Sequence, residues 1–571
     1  MDNRRRIMSS KKTQSLNGVY IEAINGELFT ADEWTGSLTP NSVVVIQDEV
    51  QFRIALTQSG DKPQIHSSPT GTLENYMTAI SDSSQAKLDM KSAENTANIM
   101  KLQSGTGYAA GYCNSFIFPD GKTKGLLPAL GWLQTAYDNK TAVDACLAAC
   151  GATAMDTSSH HWASTFWGVD SHGNRDCWRL SWSAGTVGYY GLNGNRRVRP
   201  FATYGVEVST ITIDQTNGDP ATRVSGDING NVIQWIRNNS HRVLAKKTAD
   251  GVLTYCQLND ANSTKYYDGT TAKLDGTEGD VFLKLPEFYY KGTEGNQVQI
   301  VFAKEQVDTE YIRWDPNTLI GVYEAYNGSS KMYSRSGVDS TGNISQSTWK
   351  NYAAARGTGY QLVDWQMHCV MGCLYYAMYG NTDCQSSIGK GTKSTSKTTG
   401  QTNSLGMTDT VASINGNSQS INYWGLENWW GNKSEYIHDY NNSANSLSAT
   451  VNDPVNGGTR SLPIFDYGGY YPKKMKFGRY LDLIVAKNDT KNGSAKVGYC
   501  DSQQWPKSTN SRPRVVTRSS SGSGTTGGVA HTYADYTTTQ TISNNTSRLA
   551  FRGSLIEATS VSAFKAITIT N

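Results

Sequence analysis

The chain has no apolar run near the roughly 20 residues that a membrane-spanning helix requires, so no membrane insertion is expected. Its N-terminus also lacks the apolar stretch of a signal peptide, so no export signal is expected. Charge is scarce: Asp, Glu, Lys and Arg make up 18% of the 571 residues, and the net charge is +3. Basic residues gather only at Arg4-Arg5-Arg6 and Lys11-Lys12, which leaves no electrostatic footprint for nucleic acid. The nine cysteines include no CxxC pair. Cys146 and Cys150, like Cys369 and Cys373, have the spacing of one helical face, where reduced thiols act as small apolar groups. His368 with Cys369 and Cys373 offers three ligands and no fourth, short of the usual zinc spacings, so neither metal nor other cofactor is expected. There is no G-x-S-x-G elbow, no P-loop, no H-E-x-x-H, and no heptad run long enough for a coiled coil.

What is abundant points to turns. The 55 glycines, 32 tyrosines and many Asn, Ser and Thr favour short strands over helical bundles. The length suffices for roughly two to four domains. We expect an α+β fold, β-rich and loop-rich, divided as 1–15, 16–204, 205–310 and 311–571. Residues 1–15 are basic and polar with no hydrophobic period, and read as a flexible arm that orders on a partner. Asn25-Gly26, set between alternating residues from Gly18 to Thr30, marks a hairpin. Residues 71–103 suggest helical stretches around a polar break, and 126–137 and 140–150 two short helices, the second stopped by Gly151. The runs His161-Trp162-Ala163-Ser164-Thr165-Phe166-Trp167 and Trp178-Arg179-Leu180-Ser181-Trp182 then read as strands; rings and aliphatics alternate with polar residues in the second.

Residues 205–310 read as short strands between turns, among them Val232-Ile233-Gln234-Trp235-Ile236 and the stretch 281–291. A helix is expected over 362–379, and low-complexity surface loops over 393–403 and 519–528. Between these loops lies Tyr423-Trp424-Gly425-Leu426-Glu427-Asn428-Trp429-Trp430-Gly431-Asn432, three tryptophans and two glycines in ten residues. Large rings supply core area and glycines let the backbone bend around them, so Trp424, Glu427, Asn428, Trp429 and Trp430 are expected to form a structural core. On pattern alone an ordinary aromatic core fits as well.

The order of two helices, W-x-S-T at Trp162, W-x-L-x-W at Trp178, a polar loop and Arg197-Val198-Arg199-Pro200-Phe201-Ala202 resembles the C-type-lectin-like domains of surface and phage proteins of gut Bacteroidales, including variable proteins diversified by retroelements. In those domains the residues between the tryptophan strands and the last strand form an exposed ligand face. The resemblance implies a face drawn from Ser159, His160, Phe166, Trp167, Asp170, His172, Asn174, Arg175, Asp176, Tyr189, Tyr190, Asn193 and Asn195. Rings and amides suit recognition, although a surface loop with incidental rings has the same composition.

A second resemblance covers 280–432 and, more loosely, the chain to Ile556. Six motifs in order, D-V-x-x-x-x-P-x-F-Y-Y-K, G-x-Y-E-A-Y, Y-S-x-S-G, A-x-A-R-G-x-G-Y, Q-S-x-I-G-x-G and G-L-E-N-W-W-G-N, are similar to a phage tail-fibre and tail-tip family. That family is usually assigned the fold of the formylglycine-generating enzymes. The two resemblances imply two C-type-lectin-like domains joined by a β-rich segment, one ending near Arg199 and one near Arg552. Relatives often follow the last motif with a further tryptophan and an Asp-Gly turn, where this chain has Lys433-Ser434-Glu435-Tyr436.

Together they imply a non-catalytic virion fibre protein, a tail fibre or receptor-binding protein. It would be held to other virion proteins by its N-terminal region, commonly as a homotrimer, and would bind a host surface glycan or outer-membrane protein. A structural component such as a head fibre or tail adaptor, and a bacterial surface adhesin, remain as alternatives. The enzymes of this fold bind copper through two late cysteines, whereas only Cys500 follows Cys384 here. Glycoside hydrolysis needs two carboxylates about 5–10 Å apart, and Glu427, Asp439 and Asp466 sit in no motif that singles them out. The lectin calcium motifs E-P-N and Q-P-D are absent, so metal-independent binding is expected.

Overall fold

The computed structural model describes residues 17–48, 50–64, 73–391, 398–415, 418–442, 448–452, 459–463, 468–470, 472–488, 498–499, 503–505, 514–518 and 527–569. The basic arm 1–15, Asp466, Cys500 and parts of the two low-complexity runs, 393–397 and 519–526, lie outside these residues; in the described remainder of the first run Thr399 and Thr402 are buried, not on a surface loop. The chain is mixed α+β and strand-rich, with several sheets. It divides into two compact units, Met1–Val206 with Glu305–Tyr311, and Glu207–Lys304 with Ile312–Asn571. The stretch 205–310, read from the sequence as a connecting region, therefore belongs mostly to the second unit. Its strands Val208–Asp214 and Gln297–Ala303 pair with each other, and Ile211 and Phe302 enter the same core as Trp365.

The first unit contains β1 (Gly18–Ala23), β2 (Leu28–Phe29), β3 (Pro40–Gln47), β4 (Val50–Ile54), β5 (Ser59–Lys62), α1 (Ser83–Ala86), α2 (Ser92–Leu102), α3 (Ala109–Ser115), α4 (Leu130–Asp138), α5 (Lys140–Ala149), β6 (His160–Val169), β7 (Arg175–Ser181), β8 (Val187–Gly191), β9 (Arg196–Val198) and β10 (Phe201–Thr203). They form two sheets, β10-β4-β3-β1-β2 and β5-β9-β6-β7-β8. β1 and β2 are the hairpin expected at Asn25-Gly26, where Gly26 takes φ +84°, a left-handed value that suits glycine. Gly151 likewise ends α5 at φ +68°. Helix α5 lies on β1 and β3, and α4 on β6 and β7. At the centre Phe52 stacks on both Trp132 and Phe201 with ring centroids 5.3 Å apart.

In the second unit the helix Trp365–Tyr379 is buried on nearly every side, as an apolar helix must be when it runs through a core. Two sequence readings are corrected here. Val232-Ile233-Gln234-Trp235-Ile236 lies in a helix, Asn231–Asn238, with Val232, Ile233 and Ile236 buried on one side. Five residues hold too few periods to separate strand from helix. The stretch 281–291 is two strands in different sheets, Asp280–Lys284 and Phe288–Gly292, broken around Pro286.

Trp424, Glu427, Asn428, Trp429 and Trp430 are all buried. The backbone bends through them with left-handed φ at Trp424, Gly425, Asn428, Gly431 and Asn432. Glu427 accepts from the Gly400 and Thr402 amides, each at 2.8 Å, and from the Thr402 hydroxyl at 3.0 Å. Arg548 donates to the Glu427 carbonyl at 2.8 Å and the Asn428 carbonyl at 3.2 Å. Asp439 is buried as well. Burial, then the neighbouring Asp364 charge, push its carboxyl up to about 8. In the uncertain stretch after Asn432, Ser434–Asn442 is a strand.

Candidate ligand-binding face on the first unit

The segment singled out by the sequence folds as the three consecutive strands β6, β7 and β8, then crosses to β9. The β6–β7 turn is built by Asp170. Its carboxylate accepts from the His172 and Asn174 amides, each at 2.8 Å, and from the Asn174 side chain at 3.0 Å. Those bonds, first that from the Asn174 side chain, hold the Asp170 carboxyl below its ordinary range. Gly173 supplies the left-handed residue of the turn at φ +80°. Asp170 and Asn174 are thus shaping the loop, while His172 stands exposed at its tip.

Asp170, Asn174, Arg175, Asp176, Tyr189, Tyr190 and Asn193 line one groove of about 500 Å³, together with Gly173, Gly191 and Leu192. Arg175 is held there by a two-pronged pair with Glu74, at 2.6 and 2.8 Å. Asp176 is only 6% exposed, and among the described residues its carboxylate has no hydrogen-bond or ion-pair partner. Burial, and then the charge of Asp170, raise its pKa. A buried carboxylate without a donor is costly, and one opening onto a groove is poised to accept from a bound hydroxyl or amine.

Tyr189 and Tyr190 are 47% and 44% exposed. Tyr189 stacks on Trp167 with centroids 4.1 Å apart and meets Trp178 edge-on at 6.1 Å. One face of Trp167 is therefore already covered. Tyr190 shares its side of the sheet with Arg179, as the register Cys177↔Tyr190 and Arg179↔Gly188 requires. The guanidinium carbons of Arg179 and Arg196 lie 4.9 and 3.9 Å from its ring centroid. A Cβ at Gly194 would collide with that ring, so only glycine lets the β8–β9 connection pass so close.

One expected contact residue is misplaced. Phe166 is 1% exposed and packs with Trp162, Cys177 and Val198. β6 carries irregularities on both sides of it, between Trp162 and Phe166 and between Phe166 and Gly168, which reset the alternation of inward and outward residues. His160 and Ser159 are half-buried, and Asn193 and Asn195 exposed. Arg179 and Arg196 were not among the expected contacts, although Arg179 occupies a polar position of the W-x-L-x-W alternation.

The last strand is fastened by Arg197, which pairs with Asp156. Burial opposes ionisation of Asp156, but hydrogen bonds from Ser158 and the Arg197 guanidinium outweigh it and bring the carboxyl down to about 2. A depressed carboxyl stabilises the fold above its unfolded pKa and loses that contribution as pH falls through the folded value. Asp156→Asn is expected to cost on the order of 1 kcal/mol at pH 7, since solvent screens the pair, and progressively less as pH falls through about 2. Urea denaturation at a series of pH values checks this; an equal loss at both ends would rule it out.

Among the described residues, no group of three or more His, Cys, Asp or Glu side chains is placed to hold a metal ion. His368 is buried with neither ring nitrogen bonded, and Cys369 and Cys373 are buried. No protein-family model matches the chain, and no curated protein matches it.

Proposed function

We propose that the chain is a phage virion fibre protein that attaches the particle to a bacterial surface glycan or protein through this face, without catalysis. The reading includes two C-type-lectin-like domains, assembly as a homotrimer, and contact with other virion proteins through the N-terminal region. The observation that carries it is the groove. Seven residues of the sequence-derived face line one concavity, among them two half-exposed tyrosines and an unpartnered carboxylate. Rings and amides on a rigid sheet bind at low entropic cost. The six ordered motifs from Asp280 to Asn432 supply the link to fibre proteins.

Fluorescently labelled protein should adhere selectively to some strains in a panel of gut Bacteroidales, with capsulated and capsule-free pairs locating the receptor. Tyr189→Ala should weaken adhesion about tenfold, a loss of roughly 1.4 kcal/mol, while lowering Tm by only a few degrees, since the lost ring pairs are worth about 0.5–1.5 kcal/mol. Folded parent protein that adheres to no strain would overturn the reading and favour a contact within the virion.

A further inference from the structure

The described arginines of the first unit are Arg53, Arg175, Arg179, Arg196, Arg197 and Arg199. Four of them are well supplied with acceptors. Arg53 pairs with Glu22 at 2.8 Å, Arg175 with Glu74 at 2.6 Å, and Arg197 with Asp156. Arg199 donates to the carbonyls of Ala55, Thr153 and Ala154. Arg179 and Arg196 differ. Among the described residues neither has a carboxylate partner, and the Nε of each is buried without an acceptor. Arg196 gives one bond, to the neighbouring Asn195 carbonyl at 2.5 Å.

These two cations are also close together, both set against the Tyr190 ring. His160 adjoins them; partial burial and then the two arginines disfavour its protonation. Like charges held in one place oppose folding, and cation–π attraction at an exposed ring returns only about 0.5–1 kcal/mol. What remains uncompensated is the capacity to bind an anion. The ring fixes the guanidinium groups before any ligand arrives, which lowers the entropic cost of binding. Planar guanidinium groups match the paired oxygens of a carboxylate or phosphate.

We infer that Arg179 and Arg196, set around Tyr190, form an anion subsite that takes the carboxylate or phosphate group of an acidic saccharide. The inference rests on the proposed attachment function and names the chemistry of its receptor. Asp170 and Asp176 in the adjoining groove argue for a saccharide over a nucleic acid. Their charge repels a continuous phosphate backbone more than it does the isolated anionic groups of a saccharide.

The test is surface plasmon resonance of the full chain over polygalacturonate, which carries carboxylates, a phosphomannan, which carries phosphodiesters, neutral dextran and a single-stranded oligonucleotide. The expected result is binding to at least one acidic polysaccharide in preference to dextran, weakened by salt. The double variant R179Q/R196Q should lose about tenfold or more of that affinity. Its thermal transition should match the parent's, which separates lost recognition from lost fold. Response to the first polymer alone identifies a carboxylate, and to the second alone a phosphate. The inference is overturned if the folded parent binds neither acidic polymer, prefers dextran or the oligonucleotide, or is matched by the double variant. Cell adhesion judges the attachment function and the polymers judge the subsite, so either can fail while the other stands.

Discussion

Arg548→Ala is expected to unfold the second unit at temperatures where the parent is intact. The Arg548 side chain is fully buried. It holds Glu435 at 2.6 Å while also satisfying the carbonyls of Gly321 at 3.0 Å and of Glu427 and Asn428. Glu435 has a second buried cation, Arg518, whose guanidinium lies 3.4 Å from the centroid of the Trp429 ring. Removing Arg548 breaks this trio and leaves several buried carbonyls without donors. Breaking a buried ion pair costs about 3–5 kcal/mol, a large share of the roughly 5–15 kcal/mol that holds a domain together. The expected drop in Tm is on the order of 10 °C. Arg548→Lys should rescue only part of it, since an ammonium cannot reach carboxylate and carbonyls at once. A melt of Arg548→Ala indistinguishable from the parent's would show that this network does not hold the unit.

Trp430→Ala should be nearly as severe, at about 3–5 kcal/mol for a fully buried ring. The indole is 0% exposed, lies 5.5 Å from Tyr423 between centroids, and donates its N–H to the Gly389 carbonyl at 2.9 Å. The alanine therefore opens a cavity and strands an acceptor. Trp430→Phe keeps most of the volume and loses the hydrogen bond, so it should recover more than half of the loss. Denaturant unfolding followed by circular dichroism measures both; equal losses for the two variants would make the hydrogen bond, not the ring, the dominant contribution.

The parts of this fold that were legible in the sequence are those set by local chemistry. Asn25-Gly26 dictates its own turn, Gly151 ends a helix by its own backbone freedom, and 423–432 combines rings and glycines in a way few alternatives can bury. The misreadings fall where distant residues decide. The irregularities of β6 hide Phe166 from any simple alternation. Arg175 looks like a free contact residue until Glu74, 101 positions away, folds onto it. Arg179 and Arg196 look ordinary until the absence of carboxylate partners among the described residues is known, and that is a property of the folded unit. Val232 to Ile236 shows the same limit at short range, since its neighbours choose between helix and strand.

The register of β7 has an evolutionary consequence. Trp178 and Leu180 point into the core shared with Trp132, while Arg179 lies between them on the opposite side with Tyr190. Folding and the proposed recognition thus fall on interleaved positions of the same strand. Under the proposed function, substitution at 179, 190 or 196 would alter which surfaces are recognised while leaving the residues that support the sheet untouched. If the proposed recognition holds, a scaffold arranged in this way separates the positions that would set specificity from those that hold the fold.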